Sequence, residues 1–329
     1  MHQPGDIITL AASAWRLRTP LSASSYGVLW QAESALDSMP AALKLVNTEQ
    51  MALALPPQRA CWTRCAEAEI AFLRTLQPWD RCHIVGLLDS GSHLGQPAMA
   101  LELLDGDLAR HLETVRTCAA AIPLAQAFDW IGQINGALAK VHQYGWRHLD
   151  LKPSNLLLAD GGATLKLADF GTGRALSDRA PHPYTGTAGW QAPEQFFGED
   201  GGYRTDARAD YFALGALLFG LATGTRLRYA DACAQAYRDH GAAGAARLRA
   251  LHGGALPPVL DADEAALFAR RTLQEDLTLA ARNAALTLLR ALLAPQPEGR
   301  PRHALDISRL LARVSDGLPA QAEAMRRAA

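Results

Sequence analysis

The spacing of apolar residues changes once along the chain, and that change limits the possible architectures more than any single motif does. The first hundred residues carry short β-type clusters at Ile7 to Leu10, Trp15 to Leu21, Gly27 to Gln31, Ala41 to Val46, His83 to Leu88 and Ala98 to Leu103, with the length and composition of strands. One helix interrupts them. After Pro56-Pro57, residues Trp62, Cys65, Glu69, Leu73 and Leu76 recur at steps of three and four, which predicts a helix from Pro57 to Gln77. From Leu124 onward the pattern is mainly helical, over Ala125 to Tyr144, Asp206 to Leu221, Leu256 to Leu293 and His303 to Arg313. A small strand-rich half joined near Leu101 to Asp107 to a larger helical half is an α+β arrangement.

At 329 residues the chain can give each half a core of its own. The 32 basic and 33 acidic residues nearly cancel, so bulk charge makes no case for nucleic acid or an anionic membrane surface. The longest apolar run, Tyr211 to Ala222, falls short of the ~20 residues of a membrane span and predicts a buried helix. Five cysteines lack a regular framework, and the N-terminus has no basic segment leading into an apolar core. Both point to a cytoplasmic protein with free thiols, a secreted effector being the other possibility. Cys61, Cys65 and Cys82-His83 depart from zinc-site spacing. The alanine-rich stretch Asp231 to Leu251 predicts a surface helix.

Charges stand where the pattern asks for apolar groups. In AALKLV, alternation puts Lys44 on the face of Ala42 and Val46, with Leu43 and Leu45 opposite. Glu69 falls within the apolar stripe of its helix. A lone buried charge is costly, so the two are expected to pair, snorkelling to solvent being the alternative. In NLLLADGGATLKLADFG, two apolar strands flank Asp160-Gly161-Gly162, which predicts a hairpin. Asn155 and Asp169 each lie seven residues from Gly162, so they are expected to meet at its open end as hard oxygen ligands suited to Mg²⁺. Upstream, HLDLKPSN supplies Asp150 and Lys152 in a loop that Pro153 keeps from being helical. A carboxylate, a lysine, a metal-binding pair and a distant Lys–Glu pair are the parts of a phosphoryl-transfer site.

With these residues in place the chain resembles the eukaryotic-type (Hanks-type) Ser/Thr protein kinases, from about Trp15 to Leu311, and its composition suggests a bacterial source. His148, Asp150, Lys152 and Asn155 match the catalytic loop, Asp169-Phe170-Gly171 matches DFG, and Ala192-Pro193-Glu194 matches APE. The spacings are 5 residues from Asp150 to Asn155, 19 from Asp150 to Asp169 and 25 from Asp169 to Glu194.

The resemblance implies a bilobal fold: an antiparallel N-lobe over residues 1–101 with one regulatory helix, a hinge at 102–106, a mainly helical C-lobe over 107–318 with the alanine-rich insertion at about 231–255, and a tail over 319–329. It implies ATP and Mg²⁺ as cofactors and serine or threonine hydroxyls of proteins as acceptors. Asp150 would orient the acceptor hydroxyl and take its proton, Lys152 would neutralise the transferring group, and Asn155 and Asp169 would hold metal. Lys44, held by Glu69, would contact the α- and β-phosphates. Ser22, Ser24 and Gly27 fall in the phosphate-covering turn, Leu29, Ala42 and Leu157 around the adenine, and Glu102 to Leu104 at the hinge. Glu194 is expected to pair with Arg300, and Asp210 to fix the catalytic-loop backbone. Lys152 with Thr187 is the Ser/Thr rather than the tyrosine arrangement.

Two departures stand out. The turn GxGxxG is Ser22-Ala23-Ser24-Ser25-Tyr26-Gly27, and the catalytic-loop arginine is Leu149. Serine keeps the backbone N–H donors of such a turn and loses glycine's freedom, so a stiffer or weaker clamp is expected, with Tyr26 at its tip. Phosphorylation of Ser22, Ser24 or Ser25 would repel nucleotide. With Leu149, phosphate on Tyr184 or Thr185 lacks its cation, so activity is expected without it. A pseudokinase scaffold with weak nucleotide binding and a small-molecule phosphotransferase are the competing functions, the first on the missing glycines and the second on the shared HxDxxxxN loop.

Overall fold

A computed structural model describes residues 2–24, 27–198 and 202–318. Ser25, Tyr26 and the tail 319–329 lie outside them. The chain divides into two compact units, one of residues 1–105 with 168–173 and the other of 106–167 with 174–329.

The first unit is a six-stranded antiparallel sheet in the order β1-β2-β3-β4-β6-β5, from β1 (Ile7–Thr9), β2 (Ala14–Ala23), β3 (Gly27–Ser34), β4 (Pro40–Val46), β5 (Leu87–His93) and β6 (Gln96–Glu102). Trp15, Leu17, Trp30, Leu43, Leu45 and Ala98 form a closed apolar cluster on one face. The other face of β4, carrying Ala42 and Lys44, lies beside α2 (Pro56–Thr75), which buries Glu69, Ile70, Phe72 and Leu73. A short helix that the apolar pattern does not signal, α1 (Thr48–Leu53), precedes it, capped by Asn47. Buried Asp89 fixes the sheet's first edge: its carboxylate accepts from the Ala12, Ser13 and Ser90 N–H groups and the Trp15 indole.

The second unit opens with β7 (Gly106–Asp107) and α3 (Leu108–Thr117). α4 (Leu124–Gln143) runs into β8 (Trp146–Arg147), and the hairpin β9 (Leu156–Ala159) and β10 (Thr164–Leu167) follows. After β11 (Arg174–Ala175) and α5 (Pro193–Phe196), α6 (Arg208–Thr223) carries the long apolar run and is buried along nearly its whole length, as a helix apolar on all sides must be. Gly215 allows its close approach to α10 (Leu279–Leu292): a Cβ there would stand 2.7 Å from the Leu292 Cβ. The alanine-rich stretch is two helices, α7 (Arg228–His240) and α8 (Gly244–Leu251), and α7 buries Tyr229, Ala230, Cys233 and Ala234. α9 (Ala262–Gln274) precedes α10, and α11 (Ala304–Ser315) closes the unit. No described helix is long and apolar enough to cross a membrane.

Three expectations are corrected. The run Leu256 to Leu293 is not one helix. Its apolar period continues across a turn at which Asp276 takes φ 53°, a left-handed conformation that ends a helix. The strand expected at His83 to Leu88 begins only at Leu87, because Ile84 and Val85 plug the core with no exposure at all. The Asn155–Gly171 hairpin pairs Leu156 with Leu167 and Ala159 with Thr164, so its register is centred between Gly161 and Gly162 and Asn155 falls one position out of step with Asp169. Asp160, Gly161 and Gly162 all take positive φ, which displaces the centre of the turn.

A candidate phosphoryl-transfer site

In the first unit, cross-strand pairing places Leu29 and Met99 on either side of Lys44. The Lys44 Nζ donates to Glu69 Oε2 at 2.7 Å and to Asp169 Oδ1 at 2.8 Å. Glu69, 1% exposed, also accepts the Phe170 N–H through Oε1 at 3.2 Å, and Phe170 packs on Phe72 with ring centroids 4.5 Å apart. Burial opposes charge on Lys44, but the carboxylates of Asp169 and Glu69 outweigh it and hold the ammonium protonated far above neutrality. Burial pushes the Glu69 carboxyl up, and Lys44 pulls it back only in part. Two carboxylates around one lysine leave a negative charge in excess, the balance a divalent cation corrects. Asp169 itself sits in the left-handed region at φ 63°, a strained backbone for an aspartate.

The two flanks of the glycine-poor turn, Ser24 and Gly27, bond to each other. The Ser24 N–H donates to the Gly27 carbonyl at 2.8 Å, the Gly27 N–H to the Ser24 hydroxyl at 3.1 Å, and Asn47 Nδ2 to the Ser24 carbonyl at 2.8 Å. The expectation that serine leaves the backbone donors available is therefore corrected at Ser24 and Gly27, whose N–H groups are taken inside the turn. A side chain at Gly27 would stand 3.1 Å from the Leu45 carbonyl. Ser22 is exposed opposite Leu29, and Ala42 pairs with Gln31.

Glu102 is the last residue of β6. Its N–H donates to the Gly86 carbonyl at 2.9 Å and its carboxylate accepts the Gly86 N–H at 2.7 Å, which commits its N–H. The Leu104 N–H has no partner among the described residues.

In the second unit, Lys152 Nζ donates to Asp150 Oδ2 and to the Thr187 hydroxyl, both at 2.6 Å. Asn155 Nδ2 donates to the Asp150 carbonyl at 2.9 Å and to Oδ2 at 3.2 Å, so its amide oxygen is the group left to face a metal. Asp150 Oδ1 is buried with no partner among the described residues. Leu157 lies between Asp107 and Lys166 in the β10-β9-β7 ladder.

The loop carrying Asp150 hangs from the first turn of α6. Asp210 Oδ1 accepts the Leu149 N–H at 2.7 Å, and Oδ2 accepts the His148 N–H and His142 Nε2, each at 2.9 Å. Burial pushes the Asp210 carboxyl up, but these hydrogen bonds outweigh it and hold it below the usual range. Leu149 is thereby kept at φ 65°. Glu194 meets Arg300 in a bidentate pair at 2.7 and 2.8 Å, and Arg300 also donates to the Ala294, Arg208 and Pro295 carbonyls.

Three residues escape sequence reading. Gln195 donates to the Leu149 carbonyl at 2.9 Å and Gln191 to the Thr185 carbonyl at 2.6 Å, and Arg147 is fully buried. The groups these residues donate to are backbone carbonyls, which leave no mark in a sequence.

A family model described as the protein kinase domain matches residues 20–308. Serine/threonine-protein kinase PknD of Mycobacterium tuberculosis is 31% identical over 250 residues, 75% of this chain and 35% of that protein. Serine/threonine-protein kinase PknJ of the same organism is 36% identical over 151 residues, 44% of this chain and 24% of that protein. A probable serine/threonine-protein kinase PknB of Lactococcus lactis is 32% identical over 147 residues, 43% of this chain and 22% of that protein. The chain thus spans about a third or less of these relatives' length.

Proposed function

Because this chain belongs to the protein kinase domain family, with an antiparallel sheet in its N-terminal region and helices in its C-terminal region, we propose that it transfers the γ-phosphoryl group of ATP to serine and threonine hydroxyls of protein substrates. The carrying observation is Asp150. Lys152 and Asn155 hold one carboxylate oxygen while the other is buried and has no partner among the described residues. A buried acceptor without a donor is costly, and a substrate hydroxyl would supply that donor. Asp150 would orient the hydroxyl and accept its proton, and Lys152 would offset charge on the transferring group. Thr187, bonded to the same ammonium, fixes the lysine and supports a Ser/Thr acceptor.

Within the first unit, Lys44 would engage the nucleotide's α- and β-phosphates, and the Leu104 N–H and Glu102 carbonyl its adenine, against Leu29 and Ala42. The excess negative charge around Lys44 fits Mg²⁺ with Asp169 as a ligand in the first unit, and the amide oxygen of Asn155 in the second unit is a hard oxygen donor of the same kind. When bound, the ion neutralises phosphate charge. The absence of an arginine at Leu149 makes this a non-RD kinase. Five free thiols support a reducing, cytoplasmic setting.

Incubation with Mg²⁺, radiolabelled ATP and a generic protein substrate tests the assignment. Wild type should incorporate phosphate on serine and threonine, and Asp150→Asn should lose about 10²- to 10⁴-fold, the usual contribution of a general base. No incorporation by folded wild type, or equal incorporation by the variant, overturns it.

A further inference from the structure

We propose that Arg147 is a positioning residue whose buried guanidinium clamps the Arg174–Asp178 stretch beside the catalytic loop and so orders the segment leading to Thr187 without any phosphate on it. The inference rests on the kinase reading above for its functional consequence, and on geometry alone for the clamp.

Arg147 stands three residues before Asp150, as the last residue of β8, opposite Arg174 of β11. It is 1% exposed. Nη1 donates to the Ala175 carbonyl at 2.9 Å and Nη2 to the Asp178 carbonyl at 3.0 Å. The ladder continues with the Leu176 N–H on the Gly145 carbonyl at 2.6 Å. The guanidinium therefore spans the point at which the chain turns after β11 and fixes both sides of that turn.

An arginine is costly at this position, and its donors must offset that cost. Like charges opposite one another in a ladder repel, and here two arginines are opposed. The Asp178 carboxylate takes Arg174, while Arg147 turns inward onto carbonyls. Among the described residues no carboxylate bonds Arg147, and its Nε–H is buried without a partner. A methionine would fill the volume with none of these costs. What methionine lacks is a planar fork of donors that can hold two carbonyls at once.

The clamp is tied to the catalytic loop by chain continuity. The next two N–H groups, of His148 and Leu149, are held by Asp210, so Arg147 acts from the same fixed backbone that presents Asp150. Beyond the clamp, the segment holds itself. The Tyr184 hydroxyl donates to Gln191 at 2.8 Å and its ring stacks on Tyr237 with centroids 4.7 Å apart. Gln191 holds the Thr185 carbonyl, Gln195 the Leu149 carbonyl and Lys152 the Thr187 hydroxyl. Each of these links joins unmodified residues.

The test uses the full chain after phosphatase treatment, with hydrogen-exchange mass spectrometry and steady-state phosphorylation read side by side. Wild type should keep its activity within about twofold and remain protected over residues 175–178. Arg147→Met should exchange there about tenfold faster, with unchanged protection in α6 and α10. Its KM for protein substrate should rise about tenfold while its KM for ATP holds. If Arg147→Met fails to fold, Arg147→Gln, which cannot reproduce the fork, carries the test with the same expectation. Wild-type protection over 175–178 in a folded variant overturns the clamp, and loss of wild-type activity on dephosphorylation overturns its independence of phosphate. Exchange does not depend on catalysis. A wild type that transfers no phosphate, paired with a variant that loses protection, refutes the kinase reading and leaves the clamp standing.

Discussion

Replacing Lys44 by methionine isolates the electrostatics of the first unit, because the apolar stem is kept and only the ammonium is lost. In wild type the Nζ serves Glu69 at 2.7 Å and Asp169 at 2.8 Å. The Asp169 side chain is 48% exposed and can turn to water, whereas that of Glu69 is 1% exposed and cannot. The penalty therefore falls on Glu69. Breaking a buried ion pair from one side costs ~3–5 kcal/mol. Lys44 is 27% exposed, so part of its own desolvation is recovered, and a loss of about 2–3 kcal/mol at pH 8 is expected.

The sign of the pH dependence follows from burial. Burial already pushes the Glu69 carboxyl up, and Lys44 opposes that push. Without Lys44 the folded-state value rises further above the ordinary ~4.3 of an unfolded glutamate. A group whose folded value is raised destabilises nothing below its unfolded value and destabilises increasingly as pH climbs toward the folded one. The gap between wild type and Lys44→Met should thus be small at pH 5 and widest at pH 8. Urea unfolding followed by tryptophan fluorescence can read it, since Trp15, Trp30, Trp62 and Trp79 all belong to the first unit. The double variant Lys44→Met/Glu69→Gln should remove the pH dependence. A gap equal at pH 5 and pH 8 to within ~0.5 kcal/mol would mean that Glu69 is not the seat of the cost, and the reasoning would fail.

Two further substitutions probe the second unit. Gly215→Ala places a methyl 2.7 Å from the Leu292 Cβ and should cost about 1–3 kcal/mol by overpacking α6 against α10; an unchanged thermal midpoint would show that the helices can part freely. Asp210→Asn should lose stability at neutral pH and converge with wild type in acid. The Asp210 carboxyl is held below its usual range, so its contribution is present above an unfolded value of ~3.9 and vanishes as pH falls through the lower folded one. Parallel curves down to pH 2 would contradict that assignment.

The parts of the site legible in the sequence are those where a side chain breaks a pattern and needs a side-chain partner. Lys44 interrupts an alternating strand and Glu69 an apolar stripe, and burial leaves each little choice but the other. Glu194 and Arg300 break no such pattern, and their pairing was expected only from the family resemblance. The α+β division was equally legible, since a period of two gives way to one of 3.6. What was hidden turned on the backbone. Arg147, Gln191 and Gln195 answer to carbonyls, which every residue carries alike. The break near Asp276 interrupts a helical run without interrupting its apolar period, and Ile84-Val85 has a strand's composition while serving as a plug. The hairpin register moved because three successive residues adopt positive φ, which the symmetric reading about Gly162 did not anticipate.

The serine-rich turn shows how one sequence feature can support opposite inferences until its hydrogen bonds are placed. Backbone donors survive the exchange of glycine for serine, so by composition the turn could cradle phosphate as well as before. Yet a serine brings an acceptor that glycine lacks, and Ser24 uses it to take the Gly27 N–H while its own N–H goes to the Gly27 carbonyl. Asn47 adds a second tie, and because it also caps α1 through Gln50, Ser24 is fastened to a helix. Hydrogen bonds thus hold Ser24 to Gly27 and to Asn47 without a ligand. The same bonds commit the N–H groups of Ser24 and Gly27, so the nucleotide clamp proposed above would draw less on these two groups and more on the Lys44 ammonium.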